Sequence, residues 1–275
     1  MLLQRELFIG IIVSEVNEML DFKEIKQPIL TLMLRSSHPE ELMCEIKSGL
    51  ESGAQAFGLQ MELMDPKYRT EEYLKPIIDA MDGRPAYITN YRRDNVGAEM
   101  QTDDDLAREM LTAVECGAKI FDIRGDMFDV SKDEMTYAPE AIEKQKKLID
   151  KIHEMGAQAL MSSHVFRYLT PNEALKIAEA QSERNVDIVK IVANSDTMEQ
   201  LYSNLEITAM LANRIPQPVL FLSNGEFCRI HRIYGPYLSK PNLFLVGNNK
   251  EEGISQPNIC DALEAQKLAE RKGER

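Results

Sequence analysis

The chain has 275 residues, 44% of them hydrophobic and 28% charged, and its 32 Lys and Arg against 45 Asp and Glu leave a formal net charge of −13. That composition belongs to a folded chain, of a length that fits one large α/β barrel or two small domains. The acidic excess excludes nucleic acid as the main partner, because phosphate binding draws on clustered Lys and Arg. No apolar run approaches the roughly 18 to 20 residues of a membrane span.

The first twenty residues carry a short apolar patch with Glu6 and Glu15 around it and no small-residue cleavage site, so no signal peptide and a cytoplasmic location are expected. Residues 1 to about 26 are read as an extra element over one end of the fold. The first strand-like run is Pro28–Leu34, followed by HPEELMCEIKSGLESG, whose Leu42, Ile46 and Leu50 repeat at helical spacing and which stops at Gly53. Further runs are Ala54–Met61, Pro85–Asn90, Ala118–Ile123, Ala157–Ser162, Val186–Val192, Pro218–Ser223 and Asn242–Val246. Between them lie helix-patterned segments: one with an acidic first turn after Thr102 that stops at Gly117, one opening on Thr170, and one opening on Ser195 or Asp196. Eight runs, near-continuously apolar and separated by roughly 25 to 40 residues, predict a single-domain (β/α)8 TIM barrel over about residues 27–270. A doubly wound open sheet is the alternative. It calls for a Gly-rich phosphate turn after the first strand, where this chain has Arg35-Ser36-Ser37-His38.

The four cysteines (Cys44, Cys116, Cys228, Cys260) are far apart, and the four histidines lack metal-ligand spacing. Neither a zinc site nor a disulfide framework is expected. In a barrel the active site forms where strands end. The residues at those ends are Arg35, Gln60 and Glu62, Tyr91 and Arg92, Arg124 and Asp126, His164, Lys190, and Asn224 to Glu226.

Lys190, inside VDIVKIV, is the most informative of these. Burial disfavours an ammonium, and a neutral amine can attack a carbonyl carbon. The competing reading is a lysine that snorkels or pairs with an acid such as Asp187. His164, one β/α unit earlier, can face the same substrate atom, because adjacent strands lie about 4.8 Å apart, and imidazole exchanges protons near neutral pH. Arg232 and Arg92 are candidate carboxylate clamps. Ser255 either contacts ligand or caps the last helix, and the 15 methionines read as core filler.

With these residues in place the sequence resembles the type I (Schiff-base) 3-dehydroquinate dehydratases. MSSHVF followed by Thr170-Pro171 is similar to the family's histidine strand, VDIVKIV to its lysine strand, SNGEFCRIHRIYG to the stretch leading to its carboxylate-binding arginine, and ISQPNI to its final serine loop. The resemblance implies that Lys190 condenses with the substrate ketone and that His164 moves the protons. It implies that Arg232 binds the carboxylate, and that Ser255, Arg92, Gln60, Gln256 and Glu62 complete the substrate contacts. It implies a cytoplasmic homodimer of the shikimate pathway that dehydrates a small anionic keto-acid without cofactor or metal. The chain also departs from the family. Gly58 and Gln60 stand where the family has a glutamate and an arginine, Glu62 where an aspartate is usual, Tyr91 where an arginine follows the third strand, and Asn95 for an acid. Val165 also replaces an acid, Asn224 replaces a methionine, and Ile259 a glutamine that Gln256 can replace. Arg124 stands where an acid orients the histidine and is expected to disfavour the imidazolium. The leading expectation is dehydration of 3-dehydroquinate or a related cyclic polyhydroxy keto-acid. The alternatives are a class I aldolase on the same scaffold and a non-catalytic metabolite-binding descendant.

Overall fold

In the computed structural model, residues 24–92, 101–248 and 256–270 are described. Asn95, Ser255 and nearly all of the expected N-terminal element lie outside them.

All eight apolar runs form strands: β1 (Ile29–Leu34), β2 (Ala56–Gln60), β3 (Ala86–Thr89), β4 (Ile120–Arg124), β5 (Gln158–His164), β6 (Ile188–Asn194), β7 (Val219–Asn224) and β8 (Leu243–Val246). A helix follows each: α1 (Pro39–Ser52), α2 (Glu71–Asp79), α3 (Asp103–Glu115), α4 (Pro139–Glu154), α5 (Pro171–Ser182), α6 (Met198–Arg214), α7 (Cys228–Tyr234) and α8 (Ile259–Glu270). The strands pair in parallel in the order β7-β6-β5-β4-β3-β2-β1-β8, which makes a nearly closed (β/α)8 barrel. At the remaining seam, between β7 and β8, Ser239 Oγ (2.7 Å) and Asn242 Nδ2 (3.3 Å) both donate to the Val219 carbonyl.

Local chemistry explains the helix ends. Gly53 closes α1 at φ 91°, and Thr102 with Asp105 and Thr170 with Glu173 form reciprocal capping boxes on α3 and α5. Two expectations are corrected. Helix α6 is capped by Thr197, whose hydroxyl accepts from Gln200 N. Ser195 belongs instead to the junction with β7, where its N–H donates to the Asn224 carbonyl (2.7 Å). At the start of α8, Asn258 Oδ1 accepts from Asp261 N (2.8 Å), the capping role considered for Ser255.

Two apolar clusters make the core. The larger packs strands against helices, and the smaller fills the barrel with Met33, Tyr87, Ile120, Leu160, Ile188, Val192, Leu220, Leu222, Leu243 and Leu245. Because side chains alternate along a strand, each strand presents every second residue inward. The floor is Ile120, Leu160, Ile188, Leu220 and Leu243. One step towards the C-terminal ends, the same strands present Asp122, Ser162 and Lys190. One further step brings Arg124, His164 and Val192.

Candidate active site

Lys190 is 4% exposed, and its Nζ donates to three oxygens, each at 2.9 Å: Tyr87 OH, Tyr91 OH and Asp122 Oδ2. Three donors meeting three acceptors is the geometry of a satisfied ammonium. Both phenols in turn donate to Asp122 Oδ2, Tyr91 at 2.6 Å. Burial opposes the Asp122 charge, but Lys190 and the surrounding hydroxyls of Ser162, Tyr87 and Tyr91 outweigh it and hold the carboxyl below its usual range. Burial, reinforced by the Asp122 charge, pushes both phenols well above their usual value. The acid paired with Lys190 is therefore Asp122 and not Asp187, which binds His153 Nε2 and Ala159 N, each at 2.8 Å. Three positions before Lys190, Asp187 falls on the other side of the chain.

The ladder pairs Ser162 with Lys190 and His164 with Val192, so His164 stands one pleat beyond the lysine on the same inner face. Glu134, from the loop after β4, accepts from His164 Nδ1 (2.8 Å) and His164 N (2.9 Å). Burial opposes ionisation of Glu134, yet its hydrogen bonds to His164 and the charge of Arg124 hold its carboxyl below the usual range. An ionised carboxylate only accepts, so Nδ1 carries the proton and Nε2 is left as the base. The loop reaches the histidine by an unusual path. Phe128 and Glu134 have φ values of 71° and 47°, in the left-handed region, and Ser163 Oγ holds the Glu134 carbonyl at 2.8 Å. A Cβ on Gly125 would lie 2.6 Å from that carbonyl. Arg124 does not take the place of the orienting acid. It ion-pairs with Glu134 (2.9 Å) and Asp126 (3.2 Å), and the group facing His164 is a carboxylate.

The two candidate clamps differ. Arg232 is 6% exposed and donates through Nε to the Ser223 carbonyl (2.6 Å) and through Nη2 to Asn224 Oδ1 (2.9 Å). No carboxylate among the described residues pairs with it, and burial pulls its guanidinium down to about 10. A buried cation without a counterion is suited to an anionic ligand, and Asn224 orients it. Arg92 is engaged on both edges, by Asp103 (2.6 and 3.0 Å) and by the Asp126 carboxylate (3.3 Å) and carbonyl (2.8 Å). It therefore does not replace the family arginine for which Tyr91 stands. Glu62 is buried and accepts from Thr89 Oγ1 (2.9 Å) and Gln60 Nε2 (3.2 Å). Gln60 Oε1 and Gln256 Oε1 are buried acceptors that no described residue satisfies. The space at Gly58 is filled, since a Cβ there would lie 2.2 Å from Met33 Sδ and 3.1 Å from Tyr87.

Sequence reasoning missed Asp122, Tyr87 and Glu134. Asp122 carried the same signal as Lys190, a charge inside an apolar strand. Among the described residues no cluster of three or more His, Cys, Asp or Glu is arranged to hold a metal, and no helix is long and apolar enough to cross a membrane.

A parallel eight-stranded barrel with a buried lysine–carboxylate pair and an acid-oriented histidine at the C-terminal ends of its strands is the class that fold and site define. The family model of the type I 3-dehydroquinases matches residues 30–272, and the chain belongs to that family. It is 24% identical over 190 residues to a 3-dehydroquinate dehydratase of Lactiplantibacillus plantarum, covering 68% of this chain and 71% of the relative. Two solved structures are similar in fold at 12% identity. The 3-dehydroquinate dehydratase of Geobacillus kaustophilus has a TM-score of 0.73, covering 90% of this chain and 93% of that one. The type I 3-dehydroquinate dehydratase of Clostridium difficile, described with covalently modified comenic acid, has a TM-score of 0.74, covering 88% and 92%.

Proposed function

We propose that the protein is a Schiff-base lyase that dehydrates 3-dehydroquinate or a related cyclic polyhydroxy keto-acid. The observation that carries this reading is the shared inner face of Lys190 and His164 on adjacent strands, with Glu134 leaving His164 Nε2 free as a base. Lys190 condenses with the ketone, and the iminium draws electrons from the neighbouring C–H bond. His164 removes that proton and returns it to the departing hydroxyl. Arg232 takes the carboxylate, which fixes the ring relative to the two reacting groups. Substrate specificity is proposed to depart from the family pattern, because the position after β3 offers the phenol of Tyr91. Gln60, Gln256, Glu62 and Ser255 are proposed to contact the remaining polar groups, and the working unit is proposed to be a homodimer.

Incubation with 3-dehydroquinate and borohydride, followed by peptide mass mapping, should place the reduced adduct on Lys190. The same substrate without borohydride should give the conjugated enone that water loss produces, read by its ultraviolet absorbance. An adduct accompanied by release of a separate carbonyl fragment would instead mark aldol cleavage. Thermal protection by the ligand with neither adduct nor product would mark a binding protein.

A further inference from the structure

We infer that Tyr91 is the acid–base group that makes and unmakes the Schiff base at Lys190, leaving His164 to the carbon chemistry. The inference rests on the Schiff-base reading above. Lys190 Nζ donates to three oxygens and can attack a ketone only as the free amine, after giving up a proton. The neighbouring base is Asp122 Oδ2, at 2.9 Å. Tyr91 OH touches both atoms, at 2.9 Å from Nζ and 2.6 Å from Oδ2, and its ring lies edge-on to His164 with centroids 5.0 Å apart. Tyr87 makes the same two contacts from a fully buried position within β3. Tyr91 stands two residues past the end of β3, is partly exposed, and so faces the side from which a ketone arrives. Burial and the Asp122 charge keep its phenol protonated, ready to donate. An arginine at this position could not exchange a proton.

The proton count closes. Nζ passes one proton to Asp122, and the amine lone pair forms the C–N bond. The carbonyl π pair moves to oxygen, which takes the Tyr91 proton. The phenolate recovers a proton from the new C–NH2⁺ group, leaving a neutral carbinolamine with the first proton on Asp122. Asp122 then returns that proton through the Tyr91 hydroxyl to the carbinolamine oxygen, which leaves as water while the nitrogen lone pair forms the C=N⁺ bond. Ammonium and ketone become iminium and water, and Asp122 is again ionised beside the cation. Hydrolysis runs the same steps backwards.

The test is the rate at which Lys190 becomes trappable. Wild type, Tyr91→Phe and Tyr87→Phe are mixed with 3-dehydroquinate, and in parallel with glyoxylate as a minimal carbonyl acid. Each is quenched at intervals with borohydride and mapped at Lys190. Tyr91→Phe should slow adduct formation about 100-fold, the lower range for a positioned acid–base group, and Tyr87→Phe should slow it about tenfold less. Tyr91→His, which again donates and accepts a proton, should recover about tenfold of the loss, and a merely supporting side chain would give no such rescue. Equal rates in wild type and Tyr91→Phe, equal losses in the two phenylalanine variants, or no rescue by histidine would each overturn the inference while leaving the Schiff base intact. No Lys190 adduct in wild type with either carbonyl compound would overturn both.

Discussion

Replacing Asp122 with Asn removes the carboxylate that faces Lys190 while keeping its shape. Both groups are almost fully enclosed, at 2% and 4% exposure, and their charged atoms are 2.9 Å apart. With an effective dielectric of about 20, that separation corresponds to a Coulomb attraction of about 6 kcal/mol. Desolvation offsets several kcal/mol of this, so the pair adds little over apolar residues of the same volume, yet breaking it strands a buried charge at a cost of about 3–5 kcal/mol. Asp122→Asn should therefore destabilise the barrel by about 3–5 kcal/mol, a fall of about 10 °C in melting temperature for a chain of this size. In Asp122→Asn/Lys190→Met no charge is left unpaired, and the double variant should be more stable than the sum of the single effects by about 2 kcal/mol or more. Urea denaturation of the four proteins at neutral pH measures this cycle. Additivity within about 0.5 kcal/mol would refute the pairing, since uncoupled sites behave that way.

Glu134→Gln should lower kcat by about 10- to 100-fold in the proposed dehydration, the equivalent of one charge-assisted hydrogen bond of about 1.5–3 kcal/mol, with a smaller change in KM; unchanged kcat would mean that His164 does not need the carboxylate. Gly58→Ala should destabilise by about 1–3 kcal/mol, because its Cβ would lie 2.2 Å from Met33 Sδ, and Gly58→Ala/Met33→Ala should recover part of that loss in thermal melts. Asp122 and Glu134 both have lowered carboxyl values in the folded state. Their stabilisation is complete above the ordinary carboxylate range and is lost as pH falls through the lowered folded values. Urea midpoints should consequently drop on acidification below about pH 4, and less steeply in Asp122→Asn or Glu134→Gln than in wild type.

The barrel was legible because strands covered on both faces are apolar along their length, and eight such runs cannot be hidden. Their C-terminal ends were less so. Strands β4 to β7 finish on Arg124, His164, Asn194 and Asn224, one or two residues past the apolar pattern, since the last inward residues of each line the site. Lys190 and His164 stood out as polar residues in apolar runs, and Asp122 in IFDIR was readable by the same rule. Asp187 attracted attention as the nearest acid in sequence, but an odd separation along a strand excludes a shared face. Glu134 had no periodic signal at all. It lies ten residues beyond β4, and it comes back over His164 only because the loop turns through positive φ at Phe128 and packs closely on Gly125.

Two of the departures from the family pattern, Gly58 and Tyr91, meet around the lysine. A Cβ at residue 58 would displace Met33, whose Sδ lies 2.2 Å from it, and would press on the Tyr87 ring at 3.1 Å. Without Tyr87, Lys190 and Asp122 would each lose a buried hydrogen-bond partner. An arginine at residue 91 would bring a second cation to an ammonium already balanced by a single carboxylate, whereas the phenol of Tyr91 donates to Asp122 and accepts from Lys190 without changing the charge. The same economy holds outside the cluster. Arg92 and Arg124 are neutralised by Asp103, Asp126 and Glu134, whereas no carboxylate among the described residues pairs with Arg232. In a molecule of net charge −13, the proposed anion contact of Arg232 has to act at close range inside the site, because screening confines such forces to about 10 Å.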